Sequence, residues 1–331
     1  MILKCWYLLH KARKMRNSGK YDYETLCVFA DAVRCSSFFY RLWPLMEYWS
    51  FLRDLGKSPR SMDWVKIKWL LIFCFPYKWT GVFMRFASES KPEFLQNGCC
   101  GGVIRRPTPV IAAYCKYSKF KKIADIHLLQ SQWQQDFHLW LEEKKRFGNI
   151  CVVGNSASLK GVALGEKVDE QAAVVRFNHW ADKTELMQDV GAKIDVWVVS
   201  PGYRGPVPKN VSWVVVAGPD VRYTLRNWLH LMPLIDKGVP ILTIPLPVWR
   251  KAVSVLKAPP SSGVLFLQWI HDLLRGWESI KILGIGDWKG QGAYHLSLPE
   301  HQAATRHHWV GEQGLIKMWT EHGLQRLNFL N

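Results

Sequence analysis

The second half of the chain alternates short runs of β-branched residues with turns and helical stretches, and this alternation constrains the fold most strongly. Six runs are strand candidates: residues 150–153, 173–177, 196–200, 213–217, 241–245 and 280–285. Residues 263–275 are predicted to form the helix before the last strand. Because such alternation is typical of a sheet covered by helices, it predicts an α/β domain over residues 148–331, with a Rossmann-like, mostly parallel sheet flanked by helices.

The first half of the chain has a different pattern and predicts a helical region over residues 1–147. Apolar residues recur at three- and four-residue steps in segments 37–55 and 123–147, which is the spacing of amphipathic helices. A Gly-Asn pair ends the second segment. The Gly- and Pro-rich segment 97–109 lies between the two and is a candidate joint.

Charge is concentrated in the first half. The chain has a net charge of +17 and 18 tryptophans, and residues 1–150 contain 25 Lys and Arg against 12 Asp and Glu. A composition of 48% hydrophobic and 21% charged residues argues against a disordered chain and against a polytopic membrane protein. A basic, aromatic-rich surface selects an anionic partner, either nucleic acid or an anionic membrane surface, and composition alone does not choose between them.

The cysteines and the apolar segments bear on location. All eight cysteines lie at or before residue 151 and lack metal-finger spacing, which favours reduced thiols in a cytosolic protein. The N-terminus has only a short apolar stretch before a basic cluster, so no secretory signal is expected. The most apolar run, residues 69–77, is far shorter than the ~20 residues that cross a bilayer. The sequence therefore predicts no membrane span and leaves attachment to a membrane surface open.

Polar residues follow the first two predicted strands. Gly154, Asn155 and Ser156 follow the first strand, and Asn178 follows the second. In a parallel sheet, ligands bind beyond the carboxyl ends of the strands, where Gly allows close approach and Asn and Ser supply hydrogen bonds. The turn matches neither G-x-G-x-x-G nor the Walker loop, and a plain strand-to-helix connection explains it equally well. Arg176 either points into the same crevice or pairs with a carboxylate such as Asp195.

Four segments together resemble the sialylmotifs of glycosyltransferase family 29, the eukaryotic-type sialyltransferases. CVVGNSASLKG, VDEQAAVVRFN and DVGAKIDVWVVSP resemble the long motif. PSSG, followed by an apolar helix and IKILGIG, is similar to the short motif. Tyr294-His295 resembles the third motif, and HHWVGE fits the His-x4-Glu of the very short motif. The segments occur in the family's order between residues 151 and 312, about half of the chain.

This resemblance implies a GT-A-like variant of the α/β fold. It also implies an inverting transfer of a keto-acid sugar from its CMP-activated form to a glycan hydroxyl, with no metal or other cofactor. His307 would be the general base and His295 would lie near the phosphate. Glu312, five positions after His307, would orient its ring or cap the helix. The residues expected to bind the nucleotide and donor are Gly154, Asn155, Ser156, Asn178, Ser261, Ser262 and Gly263.

The chain departs from secretory members of the family in two ways. It has no cysteine after Cys151, so the disulfide between the long and short motifs is excluded. We also expect no counterpart of the family's N-terminal membrane span. Both departures favour a bacterial, cytosol-facing relative at the inner face of the inner membrane. Its acceptor would be lipopolysaccharide, lipooligosaccharide or a capsular glycan, and its donor either CMP-sialic acid or CMP-3-deoxy-octulosonate.

Other interpretations remain open at this point. A nucleic-acid-binding protein fits the charge, and a protein that binds nucleotide without turnover fits the motifs. The basic first half is a membrane-docking surface, an acceptor-recognition domain or an accessory helical layer.

Several side chains also have alternative roles. A one-residue shift would make His308 the base, for which an imidazole with a near-neutral pKa is suited. A metal site among the clustered histidines, which include His301, is disfavoured because no H-E-x-x-H pattern occurs. Tyr203 and Arg204 are candidates for substrate contact, whereas Asp189 and Lys193 either frame the donor or are solvated. Five tryptophans are expected in the core: Trp197, Trp213, Trp249, Trp269 and Trp277.

Overall fold

The computed structural model describes residues 2–37, 41–55, 118–179, 184–218, 230–287, 295–298 and 300–328. The candidate joint 97–109 and the apolar run 69–77 lie outside these ranges, as do Tyr294 and four of the cysteines. The other four, Cys5, Cys27, Cys35 and Cys151, carry free thiols. Within the described ranges, none of the helices has both the length and the apolar character needed to cross a bilayer.

Three N-terminal helices pack around a core of their own. They are α1 (Ile2–Asn17), α2 (Tyr23–Arg34) and α3 (Leu42–Asp54). The carboxylate of Asp22 accepts a hydrogen bond from the N–H of Thr25 and so caps the start of α2. Phe29, Trp49 and Phe51 are fully buried between the helices. The helical N-terminal region predicted from the sequence is therefore present in the described residues.

A seven-stranded sheet forms the centre of the second half. Its strands are β1 (Ile150–Val153), β2 (Ala173–Phe177), β3 (Val196–Val199), β4 (Trp213–Val216), β5 (Ile241–Thr243), β6 (Ile280–Leu283) and β7 (Gln325–Arg326). Their order is β5-β4-β3-β2-β1-β6-β7, and every neighbouring pair is parallel. The predicted parallel α/β fold is confirmed, with β7 as an additional strand.

Helices cover both faces of the sheet. They are α4 (Ser118–Phe147), α5 (Gly165–Asp169), α6 (Met187–Val190), α7 (Met232–Ile235), α8 (Leu246–Leu256), α9 (Ser262–Leu274) and α10 (Trp309–Glu321). Ile150 and Val152 pack on one face with α4, α8 and α9, while Cys151 and Val153 pack on the other, as the alternation of strand side chains requires. All five tryptophans assigned to the core are buried, which confirms that prediction.

Arg176 is held inside the sheet rather than in the crevice. Its Nε donates to the carbonyl of Lys193 at 3.1 Å and its Nη2 to that of Val190 at 2.6 Å, and burial lowers its pKa to about 9. Asp195 accepts instead from the N–H of Val174 at 2.8 Å. The buried guanidinium therefore braces the connection from β2 to β3, and the suggested pairing with Asp195 is wrong.

The strand order places a crevice between β1 and β6. The chain winds from β1 out to β5 and then returns to add β6 on the other side of β1. At such a switch point the connections leave the carboxyl ends of the two strands in opposite directions and open a ligand site. Here the strand ends approach so closely that a Cβ on Gly154 would lie 2.2 Å from the carbonyl oxygen of Gly284. Close packing of the backbone therefore requires glycine at position 154. At Gly284 a side chain is disfavoured by the positive φ of +65° and by the side chain of Leu159.

Candidate active site

A cavity of about 470 Å³ opens at the carboxyl ends of β1, β2 and β6, where the topology predicts a ligand site. Its walls come from the turns after these strands, the start of α9 and the segment that leads into α10. All ten residues predicted to bind or react line this one cavity: Gly154, Asn155, Ser156, Asn178, Ser261, Ser262, Gly263, His295, His307 and Glu312. Segments more than a hundred residues apart in sequence therefore meet here, while the individual roles remain predictions.

The two asparagines are fixed by bonds to neighbouring backbone. Asn155 Nδ2 donates to the carbonyl of Phe177 at 2.9 Å, which ties the end of β1 to the end of β2. Asn178 lies in the left-handed region with φ +44°, and its Oδ1 accepts from the N–H of Ser200 at 2.8 Å. These bonds use one N–H of the Asn155 amide and one lone pair of the Asn178 amide oxygen. The remaining amide atoms of both side chains, Asn155 Oδ1 and Asn178 Nδ2 among them, are suited to hydrogen bonds with a ligand.

The N-terminus of α9 faces the cavity. Ser261 caps this helix, because its Oγ accepts from the N–H of Val264 at 3.4 Å, and Ser262 and Gly263 line the cavity in the first turn. The unpaired N–H groups and the positive end of the helix dipole favour an anion at this position. The helix start is therefore suited to an anionic group such as phosphate.

His295 is held close to the turn after β1. It forms an isolated antiparallel bridge with Ser156, and the N–H of Leu296 donates to the carbonyl of Asn155 at 2.8 Å. Its ring is buried, and its Nδ1 accepts from the N–H of Ser297 at 3.2 Å. Because a backbone N–H can only donate, the ring proton belongs on Nε2. His295 therefore presents a hydrogen-bond donor, which suits a position near phosphate oxygens.

His307 is fixed in the opposite tautomer. Its Nδ1 lies 2.8 Å from the carbonyl oxygen of Pro259, which can only accept, so Nδ1 carries the proton and Nε2 keeps its lone pair. Burial lowers the pKa of His307 to about 4. The imidazole is therefore neutral and able to accept a proton, but the expectation of a near-neutral pKa is wrong. His308 is exposed and does not line the cavity, and its Nδ1 lies 3.2 Å from the carbonyl of Leu256.

The hydrogen bond observed for Glu312 joins it to the residue that caps α9, and not to His307. Its Oε1 accepts from the N–H of Ser261 at 2.6 Å, and its side chain is buried in the first turn of α10. Burial raises the pKa of Glu312 to about 7. The carboxyl joins α10 to α9 across the cavity and changes charge near neutral pH.

Sequence reasoning missed several residues that line the cavity. His179 follows Asn178, and Arg306 precedes His307, so proximity to a motif is the signal that could have found them. Ser200, Asp287 and Gln313 also line it. Tyr203 and Arg204 also lie on its wall, and their contact with substrate stays a prediction.

Other predicted positions lie elsewhere. Asp189 accepts hydrogen bonds from the N–H groups of Gly161 and Ala163 and so fixes the loop after β1 from outside the cavity. Lys193 also lies outside and donates to the carbonyl of Gln171. In the described part of the chain, no group of three or more His, Cys, Asp or Glu side chains could hold a metal ion.

Comparisons with known proteins complete the description of the site. Residues 107–225 match the sequence model described as Glycosyltransferase family 29 (sialyltransferase), and this segment includes β1 to β4 with Asn155 and Asn178. Two similar solved structures are each 19% identical with a TM-score of 0.42. One is a mammalian sialyltransferase in complex with Gal-beta-1-3GalNAc-ortho-nitrophenol, covering 56% of this chain and 72% of that one. The other is a mammalian sialyltransferase, covering 55% and 69%. No curated protein sequence matches the chain.

Proposed function

We propose that this chain, a glycosyltransferase, moves a keto-acid sugar of the sialic acid type from its CMP-activated donor to a hydroxyl of a cell-envelope glycan. The transfer inverts the anomeric centre and uses no metal ion. The observation that carries the proposal is the assembly of every predicted site residue around one cavity at the switch point of the sheet. The family match over residues 107–225 supports the sialyl type of transfer.

The cavity has groups suited to a cytidylate leaving group. The bond from the anomeric carbon to the phosphate oxygen breaks, and CMP leaves with the electron pair, so negative charge grows on the phosphate. The first turn of α9 and the Nε2–H of His295 would stabilise that charge through preorganised donors. Asn155 and Asn178 would hold the nucleotide through their remaining amide atoms.

His307 is suited to the acceptor side of the reaction. The acceptor oxygen forms the new bond to the anomeric carbon on the face opposite the leaving phosphate, and its proton passes to Nε2 of His307. The Pro259 carbonyl fixes the ring and its tautomer before substrate arrives. A positioned base of this kind contributes about 10²- to 10⁴-fold to a rate.

The N-terminal helices support the proposed location and, through it, the proposed acceptor. One face of α1 exposes Leu3 and Tyr7, which are 86% and 66% exposed, beside exposed Lys4, Lys11 and Lys14. Apolar and aromatic side chains beside lysines are typical of a helix lying on an anionic membrane. We infer a peripheral enzyme whose basic region, residues 1–147, docks on the inner face of the inner membrane. The α/β domain, residues 148–331, would there glycosylate lipopolysaccharide or lipooligosaccharide.

Ligand-dependent unfolding tests the donor class. Thermal unfolding is measured with CMP, UDP, GDP and ADP, because a ligand that binds the folded state raises the unfolding temperature. CMP is expected to stabilise the protein most, and a preference for another nucleotide contradicts the proposal. Release of CMP from CMP-sialic acid or from CMP-3-deoxy-octulosonate then identifies the sugar. Undiminished activity in excess chelator is expected, and its loss would contradict the metal-free assignment.

A further inference from the structure

The charges that line the cavity are unevenly distributed. Arg204, Arg306 and four histidines line it, whereas the acidic residues lining it are Asp287 and Glu312. Asp287 is occupied by an ion pair with Arg326 and by a contact with the Ser158 hydroxyl. Glu312 is buried and bonded to the N–H of Ser261. Neither carboxylate therefore neutralises the basic side of the cavity.

Arg204 and Arg306 are the exposed arginines of this set, and Arg306 is the one that lies beside His307 in the chain. Within the described residues its guanidinium has no hydrogen bond or ion pair, and its charge helps to keep His307 unprotonated. An exposed guanidinium at the wall of a cavity is available to a planar anion, which it can bind through two parallel N–H groups.

The backbone around Arg306 is anchored on both sides. The Thr305 hydroxyl donates to the carbonyl of Asn17 at 3.3 Å, which links this segment to the C-terminal end of α1. On the other side, the ring of His307 is bonded to Pro259. The indole N–H of Trp309 donates to the carbonyl of Ala304 at 3.0 Å and closes the segment on itself. Arg306 is therefore presented at a fixed position beside the base, while its own side chain stays accessible.

The chemistry of the donor places an anion near this position. The hydroxyl activated by His307 attacks the anomeric carbon, and in a 2-keto acid sugar that carbon is bonded directly to the carboxylate. A cation beside the base is therefore close to this carboxylate during transfer. Ordinary sugar nucleotides, and CMP itself, have no such group.

We propose that Arg306 binds the carboxylate of the keto-acid donor and is a specificity-determining residue for donors of this class. The inference rests on the proposed function, because it takes a CMP-linked keto-acid sugar as the ligand. It extends that function by assigning donor discrimination to a residue outside the predicted set. An acidic acceptor would supply the same chemistry, and the experiment below separates the two sources.

The test compares the affinities of two ligands in the absence of acceptor. The dissociation constants of CMP and CMP-sialic acid are measured by titration for the wild type, R306Q, R306K and R34Q. The last variant removes an equally charged, exposed arginine on α2, outside the cavity. R306Q is expected to weaken CMP-sialic acid binding by about 10- to 100-fold and to leave CMP within about twofold, because only the carboxylate contact is lost. R306K should lie between wild type and R306Q, and R34Q should bind like the wild type.

Three results would overturn the assignment while the proposed function stands. Equal weakening of both ligands by R306Q places the arginine on the phosphate. Unchanged donor binding with reduced turnover places it on the acceptor. Wild-type protein that binds CMP-sialic acid no more tightly than CMP has no carboxylate site. If the wild type binds neither ligand, the proposed function itself fails.

Discussion

His307 shows how a single residue acquires its role from its surroundings. The bond to Pro259 and the lowered pKa leave Nε2 unprotonated above about pH 5. His307→Ala is expected to lower kcat by about 10²- to 10⁴-fold while CMP affinity is retained. The variant loses the proposed base but keeps the protein groups that would bind the phosphate. Steady-state kinetics and CMP titration measure the two quantities. His308→Ala is the matched control and should retain activity; equal losses in both variants would remove His307 from the base role.

Glu312 makes stability depend on pH. Burial raises its pKa from 4.5 to about 7, so between these values the folded state holds a proton that the unfolded state has lost. This group therefore lowers the free energy of unfolding as pH rises, by at most about 1.4 kcal/mol per pH unit. Glu312→Gln removes the effect and keeps an oxygen for the Ser261 N–H. The stability of E312Q relative to wild type should rise by roughly 1–3 kcal/mol between pH 4.5 and 7.

Urea unfolding at several pH values measures this difference. The pKa of His307 is lowered from 6.5 to about 4, so its own contribution increases as pH rises across that interval. Because both proteins contain His307, its contribution cancels in the comparison. A difference between wild type and E312Q that stays constant with pH would show that Glu312 titrates normally.

At this scale the sequence located residues but not their environments. The resemblance to the sialylmotifs predicted the ten lining positions, because the motifs preserve residue types and their order along the chain. The low pKa of His307 and the high pKa of Glu312 arise from burial against distant segments, so no local pattern contains them. Arg306 belongs to none of the motifs, and its position at the wall of the cavity is known only from the structure.

The strand ends at β1 and β6 can be tested as packed elements. A Cβ at Gly154 would overlap the carbonyl of Gly284, so the backbone must move to accept it. Gly154→Ala is expected to destabilise the protein by about 1–3 kcal/mol and to weaken CMP binding, since the turn carrying Asn155 shifts. Gly314→Ala on α10 is the control, because nothing lies near its added Cβ and alanine favours helix. Thermal unfolding and CMP titration compare the two variants. Unchanged stability and unchanged CMP affinity in G154A would contradict the packing argument.

Elements with strong hydrophobic patterns were predicted well. Runs of β-branched residues predicted both ends of β1 and β2 correctly. For β3 to β6 the predicted start is correct, and the predicted end lies one or two residues beyond the observed end. β7 was missed because Gln325 and Arg326 are polar and exposed, so this strand exists only through pairing with β6. Predicted helix 263–275 begins one residue later than α9, because the cap at Ser261 sets the true start.

Vesicle binding can test the proposed orientation of the molecule, in which α1 faces the membrane. Each basic residue near an anionic bilayer contributes about 1 kcal/mol, so replacing Lys4, Lys11 and Lys14 together by Gln should weaken binding to anionic vesicles by about 100-fold. Co-sedimentation with phosphatidylglycerol vesicles measures the loss. The matched control replaces three exposed lysines outside α1: Lys209, Lys237 and Lys317. Equal loss in both triple variants would indicate attraction by overall charge rather than docking through α1.

The cavity draws its walls from early and late parts of the α/β domain, from Gly154 after β1 to Gln313 on α10. A chain still emerging from the ribosome has β1 and β2 long before the start of α10, so it has only part of the proposed donor pocket and lacks the proposed base His307. Under the proposed function, donor binding would therefore begin late in synthesis, when α10 packs against the sheet. Binding of CMP by nascent chains of increasing length would record that moment directly.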